Sequence, residues 1–483
     1  MFLGIDIGTS SVKAVLTDAD GSVTGSASRP CTVSRPHPLW SEQEPEDWVA
    51  AAIAAVDELA ERQPSDLAGV LGIGFSGQMH GAVLLGADNR VLRPAILWND
   101  GRSHRQCATL EETLPTLRVL SGNIAMPGFT APKLLWVAEE EPEVFAALAK
   151  VLLPKAYVRW RFTGAMVEEM SDASGTLWLD VGRRDWSDDL LAATRMTRAH
   201  MPDLAEGSDA VARLSPDLAR RWGMREQPVV AGGAGDCAAS AVGLGAITPG
   251  DGFLSLGTSG VVWRTTDRFL PNPAMAVHAF CHALPGVWHQ MGVMLSSAAS
   301  LAWAASTLGA PEPELLAPLG DAVDGPSPVA FLPYLSGERT PHNDATVRGL
   351  FAGLSAETGR DALVQAVLEG VAFAARDNLV ALGEGAPTVF DLAGGGSRSR
   401  LWARICADAL GVTIHRIEDG EVGAALGAAH LGRMAATGEA PATVCRKPRR
   451  LETFTPDPAR AEAYSQAWLR WRRLYPLAKE FAS

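Results

Sequence analysis

The sequence lacks paired cysteines, long apolar runs and an excess of positive charge. Its six cysteines, Cys31, Cys107, Cys237, Cys281, Cys406 and Cys445, are scattered and form no CxxC pair. That excludes a zinc ribbon and a disulfide framework, and reduced thiols predict a cytoplasmic protein. No apolar stretch reaches the ~18–20 residues of a membrane helix. Residues 1–6 carry no basic leader region. Lys plus Arg number 42 against 55 Asp plus Glu, a formal net charge of −13. A chain this acidic is unsuited to coating nucleic acid or an anionic membrane, although backbone N–H groups can take up a phosphate locally. There is also no GxxxxGK(S/T) loop and no low-complexity linker.

What is present is a globular chain of 483 residues, 47% hydrophobic and 20% charged. That length predicts two to four domains at roughly 100–200 residues each. Residues 2–6 and 12–16 read as strands joined by Gly8-Thr9-Ser10-Ser11. Residues 46–62 read as an Ala-rich helix, and 70–75 as a strand running into Ser76-Gly77-Gln78-Met79-His80. The strand-turn-strand pattern returns at 253–262, around Gly257-Thr258-Ser259. Two copies of one opening predict two related domains, 1–245 and 246–483, meeting at a turn-rich boundary.

The Gly-Thr-Ser turns are the first motif with chemistry in it. Glycine lets backbone approach a phosphate, while threonine and serine add hydroxyl donors beside the turn N–H groups. The same residues also suit two ordinary hairpins. Asp6 ends the first strand, where it either caps the turn or faces a phosphate through a divalent cation. In Ala231-Gly232-Gly233-Ala234-Gly235-Asp236 a strand enters a glycine-rich turn and an Asp opens a small-residue helix. Asp236 there is either a helix cap or a general base, and capping alone does not call for so many glycines. Gly394-Gly395-Gly396-Ser397-Arg398 follows another strand and suits a nucleotide lying on the backbone. Small residues at i and i+4 over 421–429 predict close packing, plausibly between domains. His278, Cys281 and His282 alternate like a strand without a further ligand, which favours core over metal. Arg339 in a polar loop suits a phosphate contact and a structural ion pair equally.

Taken together these motifs resemble the FGGY family of carbohydrate kinases. The stretch from Gly128-Phe129-Thr130-Ala131-Pro132-Lys133 to Glu140 is similar to the family's first signature, and 349–370 to its second. Ala362 stands where the second usually has a polar residue. Ser34-Arg35-Pro36-His37-Pro38-Leu39-Trp40, Gly77-Gln78-Met79-His80-Gly81, Ile96-Leu97-Trp98-Asn99-Asp100 and Leu335-Ser336-Gly337-Glu338-Arg339 resemble the bacterial members that act on xylulose. Glycerol-specific members carry Arg-Glu in place of Met79-His80.

The resemblance implies an α/β fold of two actin-like (ribonuclease H-like) ATPase domains with an active-site cleft between them. It implies ATP-dependent phosphorylation of D-xylulose at its C5 hydroxyl, with Mg²⁺, and leaves room for a homodimer. By position, Asp236 is the general base, and Gln78, Met79, His80 and Asp236 meet the sugar. Asp6 organises Mg²⁺; Thr9, Ser10 and Lys13 form the first phosphate loop and Gly257 and Thr258 the second. Gly394, Gly395, Gly396, Ser397 and Arg398 form the adenosine pocket. Cys237 departs from the pattern, which places Asn after the base. Cysteine is the weaker hydrogen-bonding group, so weaker sugar binding or relaxed selectivity is expected. Other readings are a kinase for ribulose or another ketose or polyol, a sugar-independent actin-like ATPase, and a plain ketose-binding module.

Overall fold

The computed structural model describes residues 1–418 and 423–482. In the first half, β1 (Phe2–Ile7), β2 (Ser11–Thr17), β3 (Val23–Pro30), β4 (Gly72–Gly77), β5 (Ala210–Arg213), β6 (Val229–Ala231) and β7 (Ala234–Gly235) form one sheet. Its order is β5-β6-β4-β1-β2-β3, with β7 also on β4. β1, β4 and β6 run parallel; β2 and β3 return antiparallel.

The second half repeats the plan. It uses β8 (Gly252–Leu256), β9 (Gly260–Thr266), β10 (His278–Cys281), β11 (Trp288–Met294), β12 (Val389–Ala393), β13 (Thr413–Ile417) and β14 (Arg450–Phe454). The order is β10-β11-β9-β8-β12-β13-β14. Here too the first two strands form a hairpin, and β8, β12 and β13 run parallel.

Burial explains the strand types. β1 lies mid-sheet and is buried on both faces, so it reads as a continuous apolar run. β3 is the edge, mostly exposed, and ends in Arg29 and Pro30, residues that discourage further pairing. The helix Pro45–Arg62 starts with Pro at its first turn and Glu46 and Asp47 beside it, and ends in Arg62, matching its dipole. Its buried stripe includes Trp48, Ala52, Val56 and Leu59. A main core lies in each half, the second half adds a small cluster around Phe331 and Val367, and a further core runs between the halves from Phe129 and Trp178 to Trp263 and Phe280.

The helix Gly423–Thr437, late in the chain, packs on β1 and β4 of the first sheet and on the helix Asp236–Gly243. The contact is backbone on backbone. A Cβ at Gly74 would stand 1.8 Å from Ala428 O, and one at Gly427 1.8 Å from Ala239 O. The close approach expected of the 421–429 motif is therefore present over 423–429; Glu421 and Val422 lie outside the described residues. Among the described residues no helix is long and apolar enough to cross a membrane.

Gly427→Ala tests this contact. Alanine gains roughly 1 kcal/mol of helix propensity over glycine, yet the clash should lower stability by about 1–3 kcal/mol in urea unfolding. A variant as stable as the parent would show that the helix has room to move away.

Candidate active site

The two Gly-Thr-Ser turns close the β1–β2 and β8–β9 hairpins. In the first, Gly8 N–H donates to Ser11 O at 3.0 Å. The Thr9 hydroxyl donates to Gln78 Oε1 at 2.8 Å and accepts from Trp98 Nε1 at 2.9 Å. Its proton is thereby engaged inside the protein. This revises the expectation of a free hydroxyl donor, and leaves the turn's backbone as the donor surface. Gln43 bridges the same network, donating to Thr9 O at 2.9 Å and accepting from Gln78 Nε2 at 3.0 Å. Gln78 is thus buried beneath the turn, while Ser10 is exposed. In the second turn, Gly257 O accepts from Ala298 N at 2.7 Å and Thr258 O from Ser297 N at 3.0 Å. That ties the turn to the start of the helix Ala298–Leu308.

A cavity of about 380 Å³ lies at the carboxyl ends of the parallel strands, lined by Asp6, Lys13, Cys237, Gly394 and Gly395. Asp6 and Lys13 are cross-strand partners. The buried Ser76 hydroxyl donates to Asp6 Oδ1 at 2.8 Å. Burial raises the Asp6 carboxyl above its ordinary value, against the pull of Ser76 and Lys13. Asp236 is the first residue of its helix, and Cys237 N–H donates to its Oδ1 at 2.7 Å. Burial first, and then the charge of Asp6, push the Asp236 carboxyl up to about 6. The Cys237 thiol is also pushed up, by burial and by Asp236, so it stays neutral. Two carboxylates raised by burial, one of them also by the other's charge, beside hydroxyl and backbone donors suit a divalent cation, with Asp6 the residue able to hold it.

Behind Asp236 lies a buried charge cluster with no signature in the sequence. Lys155 Nζ reaches Glu169 at 2.8 Å, Glu168 at 3.0 Å and Asp172 at 3.3 Å. Glu169 Oε1 and Ser171 Oγ accept from Gly235 N–H at 3.1 and 3.0 Å. Arg159 donates to Gly232 O and Val167 O. Both ends of the turn before Asp236 are therefore clamped. Glu168, Glu169 and Asp172 crowd as metal ligands would, and Lys155 already supplies the cation. His278 Nδ1, by contrast, lies 2.9 Å from Asn123 Oδ1 in the core.

Met79 packs on Gly235: a Cβ added there would lie 2.9 Å from Met79 Sδ. His80 follows in the left-handed region, φ 70°. Its Nδ1 is 2.6 Å from Gly175 O, an acceptor only, so Nδ1 carries the proton and Nε2 is left as an acceptor. Burial pushes this imidazole down to about 3, keeping it neutral. Its carbonyl accepts from Lys133 Nζ at 2.8 Å and Thr130 Oγ1 at 3.1 Å. Lys133 is fully buried, and burial pushes it down to about 7. A lone lysine within Leu134-Leu135-Trp136-Val137 was the available signal for this clamp.

A second cavity, about 640 Å³, is lined by Gly395, Gly396 and Arg398 with Leu301, Leu316 and Asp321. Gly395 borders both cavities. Ser397 lines neither, and its carbonyl accepts from Arg416 Nε at 2.9 Å.

Lys133 loads the fold with a pH dependence. Its folded value of about 7 lies below the ordinary 10.5, so the unfolded chain binds more protons between them. Stability contributed by this site therefore rises with pH across that window. Lys133→Met should flatten that rise in urea unfolding from pH 7 to 10. An unchanged slope would place the ammonium outside the buried site.

The family's N-terminal domain matches residues 1–243 and its C-terminal domain residues 252–436, both described as the FGGY family of carbohydrate kinases. A xylulose kinase of Escherichia coli K12 is 49% identical over 98% of each chain. One of Klebsiella pneumoniae is 48% identical over 100% of each. The crystal structure of a xyloylose kinase from Brucella ovis superimposes with a TM-score of 0.96, at 51% identity over 99% of each chain. The fold is thus the two-domain actin-like ATPase fold, and the chain belongs to the FGGY family of carbohydrate kinases.

Proposed function

We propose that the protein is a xylulose kinase, moving the γ-phosphoryl group of ATP to the C5 hydroxyl of D-xylulose. The relatives' activity supports this, and so does Met79-His80 standing beside Asp236. The observation that carries it is Asp236 itself. Burial and the Asp6 charge push its carboxyl up to about 6, and its neighbours Asp6 and Cys237 line the first of the two glycine-bordered cavities.

In this reading Asp236 accepts the proton of the C5 hydroxyl as that oxygen attacks in line. The clamp on Gly232 and Gly235 keeps the carboxylate from swinging away. His80 Nε2 accepts from a sugar hydroxyl, and Met79 fills the wall between. The backbone of the two turns and Lys13 bind the β- and γ-phosphates, and the second cavity takes the adenosine. Mg²⁺, held by Asp6 with Ser76 fixing its carboxylate, would offset charge on the phosphates. Rotation of the halves 1–245 and 246–483 about the Gly423–Thr437 contact would exclude water from the cleft.

Asp236→Asn should lower kcat by about 10²–10⁴-fold while ATP still binds. Near-parent turnover would remove Asp236 from the base role. Because the base must be ionised, kcat/KM should climb as pH rises through about 6. Cys237→Asn should lower the KM for D-xylulose by roughly 2- to 10-fold, one neutral hydrogen bond's worth. Coupled ADP release with D-xylulose, D-ribulose, L-ribulose, glycerol and no sugar decides the substrate. A preference for ribulose moves the acceptor and keeps the mechanism. Release that ignores every sugar leaves an ATPase.

A further inference from the structure

Arg339 does not take the structural ion pair its sequence leaves open. Among the described residues no carboxylate stands within ion-pair distance of its guanidinium, and its side chain meets only Met126 Sδ, in the other half of the protein. The adjacent acid is Glu338. Its Oε1 accepts from Leu295 N at 2.9 Å and Arg339 N at 2.7 Å, and burial pushes its carboxyl up to about 8. A half-buried guanidinium facing a thioether therefore lacks an oxygen partner.

The mount is rigid. Thr340 N–H donates to Val293 O at 3.0 Å, Thr340 Oγ1 to Ala276 O at 2.8 Å, and Asn378 Nδ2 to Thr340 O at 3.1 Å. The arginine is held at a place and faces inward across the domain boundary. What it faces is the set of groups assigned to the sugar. The Met126 it touches accepts from Phe129 N–H at 3.0 Å through its carbonyl, and the rings of His80 and His278 pack edge-on against Phe129, with centroids 4.7 and 5.6 Å away. Met79 is beside Asp236 and His80 is one residue further along. A ketopentose with its terminal hydroxyl at Asp236, running past Met79 to His80, brings its C1–C2 end toward Arg339.

We propose that Arg339 is a sugar-binding residue lent by the C-terminal half, whose guanidinium donates to the C2 carbonyl oxygen and the C1 hydroxyl and so selects a ketose over a polyol. The forked donors of arginine match two oxygens on adjacent carbons, and a carbonyl is the stronger acceptor for them. The inference rests on the reading of Met79 and His80 as sugar contacts.

Calorimetric binding of D-xylulose, xylitol and MgATP to the parent, Arg339→Gln and Arg339→Lys tests it. Arg339→Gln should weaken D-xylulose binding about 10- to 100-fold and xylitol far less, with MgATP unmoved. Arg339→Lys should recover part of the loss, and guanidinium ions added to Arg339→Ala should restore more. Unaltered D-xylulose binding in Arg339→Gln overturns the proposal. Equal weakening of both sugars, or of sugars and MgATP alike, also overturns it, by reducing Arg339 to a structural role. If Arg339→Gln does not fold, the Arg339→Lys comparison decides alone. A parent that binds another sugar and no D-xylulose overturns the proposed substrate, and this inference with it. A parent that binds D-xylulose beside an indifferent variant overturns this inference only.

Discussion

The burial of two carboxylates, Asp6 and Asp236, constrains what surrounds the cleft. Withdrawn from water, each prefers to hold a proton: burial raises both, and the Asp6 charge adds to it at Asp236. A fold tolerates this only by fixing the surroundings. Ser76 and Lys13 steady Asp6; the Cys237 amide steadies Asp236. The buried Lys155 cluster holds Gly235, and therefore the position from which Asp236 reaches out. Ser76, Lys155 and Glu169 are themselves buried, so each needs a partner in turn. The network extends in this way from one pair of acids to Glu168 and Arg159, well behind the cleft.

The same logic makes the cleft a shared possession. The acids, Lys13 and the first turn come from one sheet, and the second turn and the glycines come from the other. Neither half encloses the phosphate path alone. The sugar side follows suit if Arg339 reaches across. Substrate then bridges two bodies that already meet through a shared apolar core and through one helix laid against a glycine-lined sheet.

Much of this was legible in the residues. Apolar runs ending in Asp6 and before Gly257 marked the central strands, and the doubled Gly-Thr-Ser marked the two halves. Asp236 stood out because glycines surround it. The small residues at 423–429 announced close packing, since only a helix without side chains comes so near a sheet. What stayed hidden has a common physical cause: it depends on partners far away in the chain. Lys155, Glu169 and Gly235 come from separate elements, and a lysine or glutamate alone reads as surface. Thr9 looked like a phosphate donor because nothing local shows that Gln78, 69 residues on, takes its proton. Arg339 was ambiguous for the same reason. The sequence shows a charge, and the fold decides whether an acid waits opposite.

The helix Gly423–Thr437 completes a layer begun by Phe2–Ile7. A ribosome delivers these two pieces at opposite ends of translation. The first sheet thus leaves the exit tunnel with one apolar, side-chain-poor face open, and that face waits for nearly the whole message to be read before its cover arrives. Domains that emerge early ordinarily fold early. Here the early one is finished last, and a chain cut short before residue 423 would carry that open face permanently, as a mark by which an incomplete molecule can be told from a complete one.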